Sequence, residues 1–168
     1  QKTQNKTVIR NVGLMLSGAL ENPILDSDCV IAIDGKILDI GRETDLDTAE
    51  ATCVVDCHGT TLAPGLIDSH VHPVAGDWTP RQSQLNWIDT CQHGGVTTMI
   101  SAGEVHTPGR PKDIVGLKAM AISAQRCFEN FRPGGVKVLA GAPVLEQGMV
   151  EEDFKELAEA GVKLLGEV

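Results

Sequence analysis

His70 and His72 stand one residue apart, and that spacing is the first chemical signal in the chain. They close the run Ala63-Pro64-Gly65-Leu66-Ile67-Asp68-Ser69-His70-Val71-His72-Pro73. Pro64 and Gly65 mark a turn. Leu66, Ile67 and Val71 give the apolar, partly β-branched character of a buried strand, and Pro73 cannot continue a sheet ladder. Alternate residues of a strand share a face, so Asp68, His70 and His72 point to one side. At a rise of roughly 3.3 Å per residue the two histidine Cα atoms lie about 6–7 Å apart, within reach of one cation. Neutral imidazole suits zinc, iron and related divalent ions. The plainer alternative is two strand histidines with structural hydrogen bonds. The place of the pair favours a metal, because it ends an apolar strand and precedes repeating helix–strand units, where strand ends carry chemistry. Asp68 could accept the second N–H of a metal-bound imidazole, or bond a neighbouring loop.

The elements that must position these residues follow from periodicity. After the 66–72 strand, Leu85, Ile88 and Cys91 share one face of a helix expected over 80–93. Gly94-Gly95 ends it, and 96–100 is a second strand. Ile114, Leu117, Ala121, Ala124 and Phe128 recur at three and four residues over 112–129, with Pro111 suited to a first helical turn. Residues 136–140 form a third strand. A helix over 150–160 carries Glu151, Glu152 and Asp153 in its first turn and Gly161 as its C-cap. A fourth strand spans 162–167. This rhythm implies parallel strands and right-handed crossovers.

Residues before 63 differ in texture. TVIRNVGLML reads as a strand broken at Asn11 to Gly13. Cys29–Ile33 and Lys36–Gly41 flank Asp34-Gly35, the preferred two-residue type I′ turn. Short strands follow at 52–56 and 61–62. Residues 1–62 are therefore expected to be short antiparallel strands whose one apolar face needs a second layer. The fold class is α/β, either an open doubly wound sheet or a (β/α)8 barrel. No Gly-x-Gly-x-x-Gly follows a strand, which weakens the nucleotide-binding form of the first. About four β/α units make half of a barrel. The expected organisation is thus a small sheet in want of a second layer over 1–62 (the N-terminal part of a small β-sandwich, in the light of the family resemblance given below), then the first half of a TIM-like (β/α)8 barrel over 63–168. Half a barrel has open edges, so the missing C-terminal half of the barrel is expected either from another chain or from sequence beyond this one. Arg81, His106 and Arg110 fall in loops after the first two barrel strands, at the face where barrel sites form. Arg81 or Arg110 could fork onto a substrate carboxylate, with His106 lining the pocket. Each could equally be a solvated loop residue, and His58 and His93 read as structural.

Pro64-Gly65-Leu66-Ile67-Asp68-x-His70-x-His72 resembles the first-strand motif of the amidohydrolase superfamily of metal-dependent hydrolases. Gly94-Gly95-Val96-Thr97-Thr98 is similar to the second-strand signature of the same group. Gly76 to Gln82, Thr97 to Asp113 and Leu165 to Val168 resemble a branch that opens a cyclic amide. The resemblance spans essentially the whole chain. It implies a β-sandwich completed by strands from beyond this sequence, and a binuclear divalent metal centre of zinc, iron or both. In that scheme His70 and His72 hold one metal. An acid at the end of the fourth strand bridges the pair, and Glu167 stands where many members carry a carboxylated lysine. A glutamate brings the same charge without needing carbon dioxide; otherwise Glu167 is an ordinary surface acid. The remaining ligands and a general-base aspartate are expected beyond residue 168. The implied reaction is hydrolysis of a cyclic amide C–N bond. Rivals are another amidohydrolase, of dihydroorotase, hydantoinase or aminoacylase type, and a non-catalytic α/β module.

Charge narrows the partners. A net charge of −9 and a pI near 4.9 oppose nucleic-acid or anionic-membrane binding, which need basic patches. No apolar run reaches the roughly 18–20 residues that span a bilayer, and the polar start Gln1 to Lys6 lacks a signal-peptide core. Five scattered cysteines read as reduced thiols, which points to the cytoplasm. The expected partner is a small-molecule substrate, and the expected assembly is a homo-oligomer.

Overall fold

The β-branched runs of the first part and the helix–strand rhythm of the second fold as separate bodies. The computed structural model describes residues 4–73, 87–103 and 110–167. It divides into two compact units, Gln1–Pro64 and Gly65–Val168.

The first unit holds strands β1 (Lys6–Arg10), β2 (Leu14–Leu16), β3 (Ile24–Leu25), β4 (Cys29–Ile33), β5 (Lys36–Gly41), β6 (Cys53–Asp56) and β7 (Thr61–Leu62). They form a four-stranded sheet in the order β5-β4-β1-β6 and a three-stranded sheet in the order β3-β2-β7. Asp34 (φ 49°) and Gly35 (φ 78°) both lie at positive φ, as a type I′ hairpin requires, and β4 pairs antiparallel with β5. Antiparallel pairing does not hold throughout the unit, however. β1 runs parallel to β6, and β2 runs parallel to β7. The cause is a path travelled twice: the chain crosses between sheets from β1 to β2, and again from β6 to β7, in the same direction. The two crossings nest, with Gly59 N–H donating to Asn11 O (2.8 Å) and Gly13 N–H to Thr60 O (2.9 Å). A Cβ on Gly13 would lie 2.0 Å from Gly59 O, so no side chain fits there.

Burial on β4 is two-sided. Cys29 and Ile31 pack with Val8 on one face, beside Leu46 and Ala51. Val30 packs on the other face with Val12 and Met15, beside Leu25 and Leu62 of the smaller sheet. The smaller sheet therefore supplies a second layer from within the unit itself.

The second unit alternates β8 (Leu66–Val71), α1 (Trp87–His93), β9 (Val96–Ser101), α2 (Ile114–Asn130), β10 (Lys137–Leu139) and α3 (Glu151–Glu159). The sheet order is β10-β9-β8, and both pairings are parallel. Its core joins Val71, Met99 and Val138 of the strands to Ile88 of α1 and Ala124 and Phe128 of α2. Leu117, Ala121, Ala124 and Phe128 are the buried stripe of α2, at the spacing read from the sequence. Its N-cap is Asp113, whose side chain accepts Gly116 N–H; Pro111 precedes the helix instead of opening it. A Cβ on Gly65 would stand 1.9 Å from Thr97 Oγ1, so the Pro-Gly of the motif lets the entry to β8 lie against β9.

Two expectations for this unit are corrected. β8 is an edge strand among the described residues, and Leu66 and Ile67 are 59% and 65% exposed instead of buried. Residues 162–167 do not form a strand. They are held at their end by isolated backbone bonds, Gly166 N–H to Pro143 O (2.9 Å) and Glu167 N–H to Ala102 O (2.8 Å). The part of the first helix expected over 80–86 lies outside the described residues. All five cysteines are free thiols, and burial pushes the Cys29 thiol upward. Among the described residues no helix is long and apolar enough to cross a membrane.

Helices α2 and α3 are joined by an ionic tie. Lys118 Nζ donates to Asp153 Oδ1 (2.6 Å) and to Glu156. Asp153 Oδ2 also accepts Val150 N–H (2.9 Å), closing the first turn of α3. The lysine, and then the Val150 amide, hold the Asp153 carboxyl below the ordinary carboxylate value. Asp153, and then Glu156, hold Lys118 above the ordinary lysine value. A lowered carboxyl stabilises the fold above its unfolded pKa and loses that contribution as pH falls through its folded one. Lys118→Met should therefore reduce the drop in melting temperature between about pH 6 and about pH 3 relative to the parent. Circular dichroism melts across that range check this, and equal drops in both proteins would contradict it.

Candidate metal centre

Parallel pairing brings the C-terminal ends of β8 and β9 to one side of the sheet. Val71 is in register with Ser101, and Ala102 N–H donates to Val71 O (2.9 Å). Ala102 O then takes the N–H of Glu167, while Glu167 O takes the N–H of Leu145 (2.9 Å). The end of the 162–167 segment thus lies between Ala102, just after β9, and Pro143 and Leu145, which follow β10. Gly166 makes this possible, since a Cβ there would lie 2.8 Å from Ala102 O, 2.9 Å from Gly103 Cα and 2.9 Å from Pro143 O.

The result gathers His70, His72 and Glu167. Glu167 Oε1 is 2.9 Å from His70 Nε2 and 3.7 Å from His72 Nε2. The two imidazole rings lie 5.1 Å apart, edge to face. One ligand atom from each of the three residues fits within a 4.8 Å span. Ligands about 2.1 Å from a common ion stand about 3.0–3.4 Å apart, so the two distances from Glu167 bracket the spacing a divalent cation would set.

Hydrogen bonding agrees with that fit. His72 Nδ1 lies 3.0 Å from Gly103 O. A carbonyl can only accept, so Nδ1 carries the proton and Nε2 of the neutral ring carries the lone pair. That lone pair faces a carboxylate oxygen. Two electron-rich atoms facing each other are reconciled by a proton on the ring, by a bridging donor such as water, or by a metal ion. Among the described residues His70 is exposed, while His72 and Glu167 are partly covered.

The other sequence candidates divide. Asp68 Oδ1 accepts the backbone N–H of His70 (3.1 Å), a local bond that holds the strand end. Arg110 Nη2 donates to Glu146 Oε1 (2.8 Å), with both side chains mostly covered. Its Nη1 is buried with no hydrogen-bond partner among the described residues. Arg81 and His106 lie outside the described residues. His58 sits at a turn at φ 49°, its Nδ1 3.3 Å from Asp56, and His93 closes α1. Sequence reasoning missed Ser101, Gly103 and Glu146. The Ser-Ala-Gly that ends the apolar run of β9 was the available signal for the first two.

No family model matches the chain. It is 48% identical over 164 residues to the Enamidase of Eubacterium barkeri, a match covering 98% of this chain and 42% of that protein. The crystal structure of an enamidase, described as a new member of the amidohydrolase superfamily, matches with a TM-score of 0.87 at 49% identity. That match covers 97% of this chain and 42% of the other. A dihydroorotase of Streptococcus pneumoniae is 33% identical over 138 residues, covering 82% of this chain and 30% of that protein. The chain spans less than half the length of these relatives.

Gly166→Ala should push Glu167 away from the histidines, because the contacts that a Cβ would meet are backbone and cannot rotate aside. The rise in melting temperature on adding zinc to the complete protein should shrink in this variant. An undiminished rise would show that the carboxylate keeps its place.

Proposed function

From the kinship with the amidohydrolase superfamily that runs along nearly the whole chain, we propose that this sequence is the metal-binding portion of a hydrolase that opens a cyclic amide. The observation that carries the reading is the meeting of His70, His72 and Glu167 at the strand ends. In this reading the alternating units of Gly65–Val168 are the first part of a (β/α)8 barrel, and Gln1–Pro64 is part of a β-sandwich. The remaining metal ligands and a general-base aspartate belong to the length of the relatives that this chain does not span. A small-molecule substrate, a cytoplasmic setting and a homo-oligomer go with it.

A binuclear pair of zinc or iron ions would polarise the amide carbonyl and acidify a water molecule. The chain's own residues prepare the place. His70 and His72 offer imidazole nitrogens, and the Gly103 carbonyl holds the second ring in the tautomer that puts the lone pair on Nε2. Glu167 contributes two oxygens and a negative charge, and Asp68 steadies the backbone between the ligands. For the substrate's carboxylate we propose Arg81 or Arg110 as the fork, with His106 beside it. Glu146 holds Nη2 of Arg110, and its Nη1 is buried with no hydrogen-bond partner among the described residues.

The substrate proposed is 6-oxo-tetrahydronicotinate or a similar cyclic amide, on the strength of 48% identity to an Enamidase. A dihydroorotase-like ring opening is the second reading, favoured by the 33% identity to that enzyme. The complete protein should contain at least one equivalent of zinc or iron by elemental analysis and should open one ring in a panel of cyclic amides. His70→Ala combined with His72→Ala should remove both the metal and the activity. Metal retention with full activity in the double variant would end the proposal, and turnover of dihydroorotate alone would select the second reading.

A further inference from the structure

We propose that Ser101 is a positioning residue of the metal centre, acting on His72 through the backbone of Gly103. The inference rests on the reading of His70, His72 and Glu167 as a cation site. Ser101 ends β9 and is 3% exposed. It shares a sheet face with Met99, which is fully buried, so an aliphatic residue would suit the position. A buried hydroxyl there needs hydrogen bonds, and Ser101 Oγ accepts the N–H of Gly103 at 3.2 Å. Gly103 has no Cβ to limit its backbone, so its carbonyl direction is the least constrained of any residue type. The Ser101 bond restrains it. That carbonyl accepts Nδ1–H of His72 at 3.0 Å. The residue between them, Ala102, takes the N–H of Glu167 on its own carbonyl at 2.8 Å. Three consecutive residues therefore hold two of the centre's ligands, one by its ring and one by its backbone, and the serine hydroxyl orders the arm that sets the ring.

Ser101→Ala removes only one oxygen and opens little space, so the core stays filled. The lost acceptor frees Gly103, and His72 should lose its fixed tautomer. Zinc affinity of the complete protein, measured by competition with a chromogenic chelator, should fall by on the order of tenfold. Ser101→Thr keeps the hydroxyl and should recover most of that loss. A second measurement needs no metal: nitrogen-15 NMR of histidine-labelled, metal-free parent protein above the imidazole pKa, with His72 assigned by its absence in His72→Gln. The parent should show His72 with its proton on Nδ1, and Ser101→Ala should shift population toward the Nε2–H form. A parent His72 protonated on Nε2 overturns the inference. So does an unchanged affinity and tautomer in Ser101→Ala while the parent binds zinc, an outcome that leaves the proposed function standing. Failure of the parent to bind either zinc or iron sinks the function instead, and the tautomer ratio then decides the role of Ser101 alone. Should Ser101→Ala not fold, the parent tautomer and the affinity of Ser101→Thr carry the decision.

Discussion

Two imidazole nitrogens and a carboxylate oxygen converge on one small space at the strand ends. Glu167 Oε1 sits 2.9 Å from one ring and 3.7 Å from the other. With both Nε2 atoms unprotonated, as metal ligation requires, such a group gains nothing from hydrophobic burial and repels itself electrostatically. The fold must therefore hold it together by other means. It does so with backbone: the register of Val71 with Ser101, the bond from Glu167 to Ala102, and the near contact of Gly166 with Pro143 and Gly103. Backbone bonds of this kind fix where the three side chains start, which under the proposed reading would lower the ordering cost of binding an ion.

Packing below the sheet supports that rigidity. Met99, Val138 and Val71 press against Ala124 and Phe128 of α2, so the strands beneath the centre rest on a close-packed layer. Helix α3 is fastened to the same α2 by Leu157 against Ala121 and by the Lys118–Asp153 bond. Residues 162–167 follow directly from α3. The position of Glu167 is thus inherited from helix packing as well as from its two backbone bonds.

Some of this could be read in the residues and some could not. The His-x-His pair announced itself, because a two-residue period on an apolar strand has one geometric meaning. The Asp34-Gly35 turn and the Leu117-Ala121-Ala124-Phe128 stripe were equally legible, since both are local. Glu167 was not local: nothing near it in the chain says that a carboxylate almost a hundred residues after His70 will meet it, and only resemblance to a known family supplied the pairing. The parallel pairing of β1 with β6 escaped for the same reason, as alternation shows that a strand exists but not its neighbour's direction. Residues 162–167 look like a strand by composition, yet Gly166 packs so closely against two loops that isolated bonds replace a ladder. Ser101 was hidden because a serine at a strand end carries no pattern of its own.

The nested crossings of the first unit bear on which changes this sequence can absorb. Where Gly13 meets Gly59 the two sheets are keyed to each other by main chain, with no side chain to yield. An inserted residue in either crossing would slide one sheet past the other and swap the inward and outward faces of β2 or β7. The exposed connection between β2 and β3, which holds Leu20 at 93% exposure, has no such key. Variation in length among related chains should therefore collect at that connection and spare the two crossings, leaving the paired sheets a fixed block on which surface loops drift.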